Sequence, residues 1–506
     1  MPASLPHQAY KVNQLQQYEA DAAQAIGLNL YQLMERAGTA VFNNIRQYYP
    51  SAHRILVIAG KGNNGGDGYI VARLAHQAGI NVKVVVDAKR EQIQGDALQA
   101  LKFLEQCSVA IYFDLSTAKK VDFIADYQGE LIVDCLFGIG FRGELSPALI
   151  TLIEAINNKN CLRVAVDVPS GLNADLGVVT PTAVKADLTI TLIAYKQGLL
   201  TGQAANYVGE LVLETLAINT AFAQLQSAEC FRQNTDSLPL LRKRLPASHK
   251  GSIGMMLAVG GDSTFTGAIC LTCEVALRAG AALVSVCCHE YSRNILLSRQ
   301  PELMVVANCS QTLASTSVLA KVKSVVLGPG LGRGAWSEQL FNTVINLSQA
   351  KVIDADALYF LAQQPIFSNN WVLTPHPGEA AALLNCSVAE VELDRFFAVR
   401  EIAKRYGGIC VLKGAGTLIS DGTTIWVNTT GNAGMTSGGM GDVLSGIIGA
   451  LILQTTDLFQ AARLGVYIHG RAADIIAKKH GQIGILASDL YPEVQRLINN
   501  ESSLRG

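Results

Sequence analysis

The stretch Arg54-Ile-Leu-Val-Ile-Ala-Gly-Lys-Gly-Asn-Asn-Gly-Gly-Asp-Gly68 decides the fold of the first half of the chain. An apolar run of strand length leads into nine residues rich in glycine, and Tyr69–Gln77 then has a helical pattern. A short apolar run followed by a glycine turn and a helix is typical of a buried parallel strand in an α/β protein. The sequence therefore predicts a strand, a turn and a helix here.

Similar apolar runs recur along the first half, at Val82–Val86, Leu131–Asp134, Arg163–Asp167, Leu188–Ile193 and Gly209–Leu213. Runs of this kind that alternate with helices predict a parallel sheet covered on both faces. Residues from about 215 to 250 are polar and irregular, without a strand pattern. We place the domain boundary in this region and divide the chain into residues 1–222 and 223–506.

A second alternating series follows the boundary. Its predicted strands are Met255–Val259, Leu283–Cys287, Ser324–Leu327, Val352–Asp354, Trp371–Thr374 and Ile409–Lys413. The two series share no order of motifs, so the sequence predicts two different α/β domains joined by a linker.

The composition is that of a well-buried globular protein. Of 506 residues, 49% are apolar and 16% are charged, and the net charge is -1. Without a basic face, nucleic acid is not an expected partner. The start lacks the apolar core of a signal peptide, and the longest apolar stretch, Val443–Leu453, is far shorter than the ~20 residues of a membrane helix. We expect a cytoplasmic enzyme with reduced cysteines, including Cys270 and Cys273 as buried structural thiols.

The glycine-rich turn of the first half has two interpretations. Gly60, Gly62 and Gly65 match a dinucleotide fingerprint, with Asp87 where a ribose-binding acid would lie. However, Asp67 is expected at the helix start, where its carboxylate would cap the first turn and compete with a pyrophosphate. The turn is therefore better suited to polar groups and a cation than to an ordinary Rossmann cofactor.

Two strand-end aspartates, Asp134 and Asp167, provide partners for Asn64 in that turn. Carboxyl ends of parallel strands converge on one crevice, so we expect these three side chains to meet there. Oxygen ligands of this kind suit a hard cation. The alternative is that the aspartates merely cap turns.

The most informative turn of the second half is Gly431-Asn-Ala-Gly-Met-Thr-Ser-Gly-Gly-Met-Gly441, which leads into Asp442 and an apolar helix. Bare backbone N–H groups and a helix start together form a site for phosphate oxygens. Asp442 is placed to accept a proton from a substrate hydroxyl there, although a plain helix cap is the alternative. His376, between two prolines, is either structural or catalytic on spacing alone.

Four motifs of the first half resemble the NAD(P)H-hydrate epimerase family and follow its order over about residues 10–215. They are Leu33–Gly38, Asn63–Gly68, Asp134 with Gly138–Glu144, and Asp167–Gly171. The resemblance implies interconversion of the R and S forms of a nicotinamide ring that carries a hydroxyl at C6. It implies substrate contacts from Asn63, Asn64, Gly65, Gly66, Asp67, Gly138, Ile139, Gly140, Phe141, Arg142, Gly143, Glu144 and Asp167.

The same resemblance implies a potassium ion held by Asn64, Asp134 and Ser170. Asp167 is the expected proton-transfer group, because inverting a carbon of the hemiaminal type needs a base and an acid nearby. Lys196 is a second candidate, although we expect it to be a solvated lysine at a strand end.

The second half resembles the ribokinase-like superfamily, and within it the ADP-dependent NAD(P)H-hydrate dehydratases, over about residues 228–500. The motifs are His249–Gly251, Gly260–Asp262, Thr266–Ala268, Gly328–Gly332, Asp354–Leu358, His376–Glu379, Lys413–Thr417 and Asn432–Asp442. The resemblance implies substrate contacts from Ala268, Gly330, Gly332, His376 and Asp442, with Asp442 catalytic. It implies nucleotide contacts from Lys413, Gly414, Ala415, Gly416, Thr417 and Gly441.

Together these resemblances imply a Rossmann-like three-layer α/β domain followed by a ribokinase-like α/β domain. They imply a bifunctional enzyme that epimerises hydrated NADH and NADPH and dehydrates the S form with ADP and Mg²⁺, giving AMP and phosphate. We expect a homo-oligomer without membrane partners. Two rival hypotheses are a small-molecule kinase fused to a regulatory domain, and a first half that binds a ligand without catalysis.

Overall fold

A computed structural model of the chain describes residues 7–141, 143–239, 241 and 243–499. It contains two compact units, Met1–Cys230 and Phe231–Gly506. The division lies beyond the predicted boundary at 222 because the segment predicted to be irregular contains a helix, Asn219–Leu225, that belongs to the first unit. Its Phe222 is buried and contacts Tyr10 edge-on, with ring centroids 4.9 Å apart.

The first unit is built on parallel strands. They are β1 (Gln8–Tyr10), β2 (Arg54–Ala59), β3 (Asn81–Val86), β4 (Ala110–Tyr112), β5 (Leu131–Cys135), β6 (Leu162–Val166), β7 (Leu188–Leu192), β8 (Tyr195–Lys196) and β9 (Glu210–Glu214). Seven of them form a sheet in the order β4-β3-β2-β5-β6-β7-β9, and β1 pairs with β8.

Helices cover both faces of this sheet, as the continuous apolar runs predict. They are α1 (Val12–Ala25), α2 (Leu30–Tyr48), α3 (Asn63–Gln77), α4 (Gly95–Glu105), α5 (Thr117–Asp126), α6 (Pro147–Asn158) and α7 (Asn219–Leu225). Alternate residues of β2 enter opposite cores: Ile55 and Val57 pack on one face, and Leu56 and Ile58 on the other. The predicted three-layer α/β domain is confirmed.

The second unit has a larger series of strands. They are β10 (Cys230–Arg232), β11 (Met255–Val259), β12 (Leu283–Cys287), β13 (Met304–Ala307), β14 (Val322–Leu327), β15 (Ala350–Ile353), β16 (Trp371–Leu373), β17 (Ile409–Leu412), β18 (Thr417–Ser420) and β19 (Ile425–Asn428). Their order is β13-β12-β11-β14-β15-β16-β17-β18-β19. Pairing is parallel as far as β17 and antiparallel beyond it.

Among the residues that the structure describes, twelve helices accompany these strands. They are α8 (Lys250–Ile253), α9 (Thr266–Arg278), α10 (Glu290–Arg299), α11 (Ser310–Ser315), α12 (Ala335–Ile345), α13 (Asp356–Gln363), α14 (Pro377–Leu384), α15 (Val388–Leu393), α16 (Arg395–Tyr406), α17 (Met440–Ile452), α18 (Leu458–His480) and α19 (Leu490–Asn499). Within the described ranges, no helix has the length and apolar character needed to cross a membrane. Cys270 and Cys273 are buried free thiols on α9, as predicted.

Each unit has a glycine where a strand ends against the backbone of its neighbour. A Cβ atom at Gly60, which follows β2, would lie 2.1 Å from the carbonyl oxygen of Leu136. A Cβ atom at Gly328, which follows β14, would lie 1.8 Å from the carbonyl oxygen of Asp354. Real Cβ atoms do not approach a backbone oxygen this closely, so both turns require glycine.

Substitution at Gly60 tests this requirement. Gly60→Ala should lower the free energy of unfolding of the first unit by about 1–3 kcal/mol, because the methyl group forces β2 and β5 apart at their ends. Gly140→Ala is the matched control, since a Cβ atom there meets open space. Urea unfolding followed by circular dichroism measures both variants, and equal stability of the two would contradict the close approach.

Candidate active sites

A cavity of about 490 Å³ opens in the first unit, where the turns after β2, β5 and β6 meet α1 and α2. Its lining contains four carboxyl groups and two ammonium groups, contributed by Glu19, Asp67, Asp96, Asp167, Lys61 and Lys196. Such a dense set of charges in a concave pocket is typical of a catalytic site.

Asp167 lies directly after β6 in a left-handed conformation, with φ at 67°. Its Oδ1 accepts a hydrogen bond from the backbone N–H of Leu192 at 3.1 Å and forms an ion pair with the Nζ of Lys196. Both residues are buried. Asp167 is thus held as one partner of a buried ion pair at the edge of the cavity.

The prediction that Lys196 is a solvated lysine is wrong, because the residue is only 1% exposed. It lies in β8, which pairs with β1, and its Nζ donates to the carbonyl oxygen of Leu192 at 2.7 Å and to the hydroxyl of Thr191 at 3.1 Å. Together with the carboxylate of Asp167, these two oxygens provide one acceptor for each of the three N–H donors of the ammonium group.

The prediction that Asp67 caps the helix start is also wrong. The helix begins at Asn63 with Gly62 as its N-cap, so Asp67 lies more than one turn inside α3. Burial, followed by the negative charges of Asp167 and Glu19, raises the pKa of Asp67 well above its usual value. Burial and the charge of Asp167 also raise the pKa of Glu19. Both carboxyl groups are therefore biased towards their protonated forms.

Three of the predicted oxygen ligands lie around the segment that follows β5. Asp134 accepts hydrogen bonds from the backbone N–H and the hydroxyl of Ser170, at 2.8 and 2.7 Å, and Ser170 accepts one from the N–H of Phe137 at 3.0 Å. Burial raises the pKa of Asp134 to about 6, although the bonds from Ser170 oppose the shift. Asn64 lies against Gly138, where a Cβ atom would be 3.3 Å from the Asn64 amide carbon.

The amide of Asn64 is buried, and neither its oxygen nor its nitrogen has a hydrogen-bond partner among the described residues. A buried polar group without a partner costs free energy unless a ligand satisfies it. An unpaired amide oxygen, like the carboxylate of Asp134 and the hydroxyl of Ser170, is an oxygen ligand of the kind that suits a hard cation. The residues therefore fit the potassium ion that the sequence resemblance implies.

The remaining predicted contacts of the first unit lie in different environments. Asn63, Gly138, Ile139, Gly140 and Phe141 line the cavity. Gly65 and Gly66 instead serve packing, because Cβ atoms there would lie 2.1 Å from the oxygen of Gly60 and 2.6 Å from the sulfur of Met34. Gly143 and Glu144 are exposed, and Arg142 lies outside the described residues.

Asp87, the acid of the alternative dinucleotide interpretation, pairs with Lys120 instead of lining the cavity. Sequence reasoning missed four residues that line the cavity: Gln16 and Glu19 within α1, Lys61 before α3, and Asp96 at the start of α4. Their only signal is polarity, which they share with many solvated residues.

In the second unit, Asp442 is the third residue of α17, and Gly439 precedes that helix with φ at 91°. The N–H groups in the first turn of a helix have no acceptor within the helix, so they can face an anion. The glycine turn before the helix is fixed by Asp474, whose carboxylate accepts from the N–H of Gly431 at 3.0 Å and from the side chain of Asn432 at 2.9 Å. The predicted placement of Asp442 at a helix start is confirmed.

Asp442 belongs to a cluster of charges. Lys413 Nζ lies 3.0 Å from Asp354 Oδ1 and 3.7 Å from Glu379 Oε2. A Cβ atom at Gly441 would lie 3.3 Å from that same Nζ. Burial and then the charge of Asp354 raise the pKa of Asp442 to about 7, against the opposing effect of Lys413. The structure thus brings Asp442, Gly441 and Lys413 together.

His376 is the N-cap of α14. Its Nδ1 accepts hydrogen bonds from the N–H of Gly378 at 2.9 Å and of Glu379 at 3.3 Å. The side chain is otherwise 57% exposed. The sequence left a structural and a catalytic interpretation open. The cap gives His376 a structural role, and its Nε2 lies 3.5 Å from Oε1 of Glu379.

The other predicted contacts of the second unit lie in tight turns. A Cβ atom at Gly330 would lie 3.2 Å from that of Ala268, so these two positions are neighbours, and the N–H of Gly332 donates to Asp356 at 2.9 Å. Gly414, Ala415 and Gly416 form the turn of the hairpin between β17 and β18, and the hydroxyl of Thr417 donates to the carbonyl oxygen of Gly414 at 3.0 Å.

The fold and the two sites define a bifunctional α/β enzyme with charged sites at the carboxyl ends of parallel strands. Residues 30–198 match the family described as YjeF-related protein N-terminus, and residues 256–496 match the family described as NAD(P)H-hydrate dehydratase. The chain belongs to the bifunctional NAD(P)H-hydrate repair enzyme family.

The relatives and a solved structure agree with this assignment. The bifunctional NAD(P)H-hydrate repair enzyme of Vibrio cholerae is 45% identical over 504 residues, covering 98% of this chain and 99% of its own. That of Escherichia coli is 42% identical over 502 residues, covering 99% and 96%. A ribokinase-like superfamily protein from Enterococcus faecalis superposes with a TM-score of 0.50 at 26% identity, covering 55% of this chain and 98% of its own. The predicted ribokinase-like second domain is confirmed.

The ion pair of the first unit can be tested by a double-mutant cycle. Lys196→Met should lower the free energy of unfolding by about 3–5 kcal/mol, because it leaves the carboxylate of Asp167 buried without its counter-charge. Adding Asp167→Asn should recover much of that loss. Lys61→Met, in an exposed lysine of the same cavity, is the control and should change stability by less than about 0.5 kcal/mol. A Lys196 variant as stable as the control would contradict the pairing.

Proposed function

We propose that this chain repairs hydrated nicotinamide cofactors in two reactions. The first unit interconverts the R and S forms of hydrated NADH and NADPH, and the second dehydrates the S form at the expense of ADP, giving AMP and phosphate. The observation that carries the proposal is the similarity of nearly the whole chain to bifunctional repair enzymes. In this chain, each unit also has a charged site.

For the first reaction, Asp167 is the base that takes the proton of the C6 hydroxyl while the bond from C6 to the ring nitrogen breaks and an acid protonates that nitrogen. The resulting aldehyde rotates, the nitrogen attacks its other face, and both protons return, which inverts C6. The ion pair with Lys196 supports this role because it fixes the orientation of the carboxylate. Asp67 and Glu19, biased towards their protonated forms, are the acids available in the same cavity. Asn63, Asn64 and the Gly138–Phe141 segment would surround the substrate.

Asn64, Asp134 and Ser170 would hold the potassium ion, as the unpaired amide of Asn64 supports. When bound, the ion supplies positive charge near the substrate oxygens. The hydrogen bonds among Asp134, Ser170 and Phe137 have a structural effect of their own. They hold in place the segment that forms one wall of the cavity.

For the second reaction, the C6 hydroxyl oxygen attacks the β-phosphorus of ADP, and the bond from that phosphorus to AMP breaks. The lone pair of the ring nitrogen then expels phosphate from C6, and the resulting iminium loses a proton from C5 to give the dihydronicotinamide. Asp442 accepts the hydroxyl proton, and Gly441 with the first turn of α17 binds phosphate oxygens. Mg²⁺ enters with the nucleotide and shields its charge.

In this proposal, Lys413, Gly414, Ala415, Gly416 and Thr417 contact the nucleotide. Ala268, Gly330, Gly332 and His376 contact the hydrated ring, and the adjacency of Ala268 and Gly330 supports a shared pocket. A cytoplasmic location and self-association stay predictions from the sequence.

Loss of the base should separate the two activities. Asp167→Asn should lower epimerisation by at least ~100-fold, the low end for a general base, while the second unit still dehydrates the S form. The assay supplies a racemic hydrate, ADP and Mg²⁺ and follows the return of near-ultraviolet absorbance. The variant should convert the S half at the wild-type rate and the R half much more slowly. Full recovery from the R form at the wild-type rate would contradict the role of Asp167.

The pKa of Asp442 predicts a pH profile for the dehydratase. Below pH 7 the carboxyl is increasingly protonated and cannot accept the hydroxyl proton, so kcat should fall as pH drops through about 7. Asp442→Asn should lower kcat by at least ~100-fold and abolish that limb of the profile, while ADP still binds. Asp236→Asn, in an exposed acid outside the site, is the control. Weakened ADP binding with unchanged kcat would contradict catalysis by Asp442.

A further inference from the structure

Arg395 is a buried charged residue to which the proposed reactions give no role. It is the first residue of α16, and only 1% of its surface is exposed. Its Nη1 lies 2.8 Å from Oε1 of Glu392 in an ion pair, and burial lowers the pKa of its guanidinium group. Because burying a charge costs free energy unless its hydrogen bonds compensate, the contacts of this group indicate what it does.

Arg395 contacts the turn between β17 and β18, which we assign to the nucleotide. Its Nη2 donates hydrogen bonds to the carbonyl oxygens of Lys413 at 3.1 Å and of Leu412 at 3.4 Å. A Cβ atom at Gly414 would lie 2.8 Å from the same nitrogen. The guanidinium group therefore lies against one side of the peptide unit that joins Lys413 to Gly414.

The orientation of this peptide unit follows from its planarity. In a trans peptide, the carbonyl oxygen and the next Cα atom lie on one side of the C–N bond, and the N–H group points to the other side. Since Arg395 contacts the oxygen of Lys413 and the Cα side of Gly414, the N–H of Gly414 points away from the guanidinium group. Gly414 is exposed, and its N–H has no acceptor among the described residues. The preceding N–H, that of Lys413, already donates to the carbonyl oxygen of Pro375 at 2.9 Å.

We propose that Arg395 is a positioning residue of the dehydratase, which holds this peptide unit so that the N–H of Gly414 donates to an oxygen of the bound nucleotide. The guanidinium group does not touch the nucleotide. Its charge makes the hydrogen bonds to the two carbonyl oxygens stronger than neutral ones, so the turn is fixed before the ligand binds. The inference rests on the proposed function, because it takes ADP as the ligand of this turn.

The first test removes the donors from the full-length protein. In Arg395→Met the carboxylate of Glu392 stays solvated, because its side chain is 40% exposed, so we expect the variant to fold. Calorimetric titration with ADP and Mg²⁺ should give a Kd at least ~10-fold above that of the wild type, since the turn loses its fixed orientation. The kcat at saturating ADP and the KM for the S hydrate should change by less than ~3-fold, because only nucleotide binding is affected. Arg395→Lys, which keeps the charge and a donor, should recover part of the affinity.

Arg405→Met is the matched control, because Arg405 is an exposed arginine of the same helix. It should leave the Kd for ADP unchanged. An Arg395→Met variant that binds ADP as the wild type does would overturn the inference. An equal loss of affinity for ADP and for the hydrate would show a general structural role and would overturn it as well.

The second test needs no variant. Amide hydrogen exchange of the wild-type protein, resolved to single residues, should slow at Gly414 by at least ~10-fold when ADP and Mg²⁺ are added, because the amide gains an acceptor. Bound ADP without protection of Gly414 would contradict the proposed contact while the dehydratase function stands. If the wild-type protein binds no ADP, the proposed function itself fails.

Discussion

Direct contact between the backbones of neighbouring strand ends is the constraint on which both sites depend. In each unit a strand ends at a glycine. A backbone carbonyl oxygen from the segment that follows the neighbouring strand occupies the space that a side chain would take. Gly60 with Leu136 and Gly260 with Pro329 share this geometry, with hypothetical Cβ–oxygen distances of 2.1 and 2.0 Å. Because the connections pack so tightly there, the polar groups that follow each strand end must turn towards a common crevice.

The two crevices handle buried charge differently. In the first, the carboxylate of Asp167 is matched by Lys196, and burial raises the pKa of Asp67 and of Glu19. In the second, Lys413 lies near both Asp354 and Glu379, while burial and the charge of Asp354 raise the pKa of Asp442 to about 7. An acid poised in this way can take up a proton and release it again within one turnover.

Sequence reasoning predicted the elements whose signal is local. The apolar run of β2 and the glycine turn after it were sufficient to predict the strand, the turn and the parallel sheet, because both faces of that strand are buried. Short strands such as β4 and β13 were missed, since they are partly exposed and have no clear periodicity. The start of α3 was placed too late because Asn63 and Asn64 are poor helix formers, and tertiary context overrode that propensity.

Features that depend on contacts far apart in the sequence were not predictable. Lys196 is buried because β8 pairs with β1, which lies almost the whole length of the first unit away along the chain. Glu19 joins the first cavity only because α1 packs over it, and Asp474 meets the glycine turn only because α18 returns beside it. In each case an isolated charged residue carries no sign of its partner.

The link between Asp474 and the glycine turn has a consequence for catalysis. Two hydrogen bonds from the middle of a long, well-packed helix hold the turn in shape. These residues therefore lose their conformational entropy when the protein folds, and ligand binding does not have to order them. In the proposed dehydratase reaction, the backbone dipoles of this turn would be preorganised around the transferred phosphate, so little reorganisation would oppose the approach to the transition state.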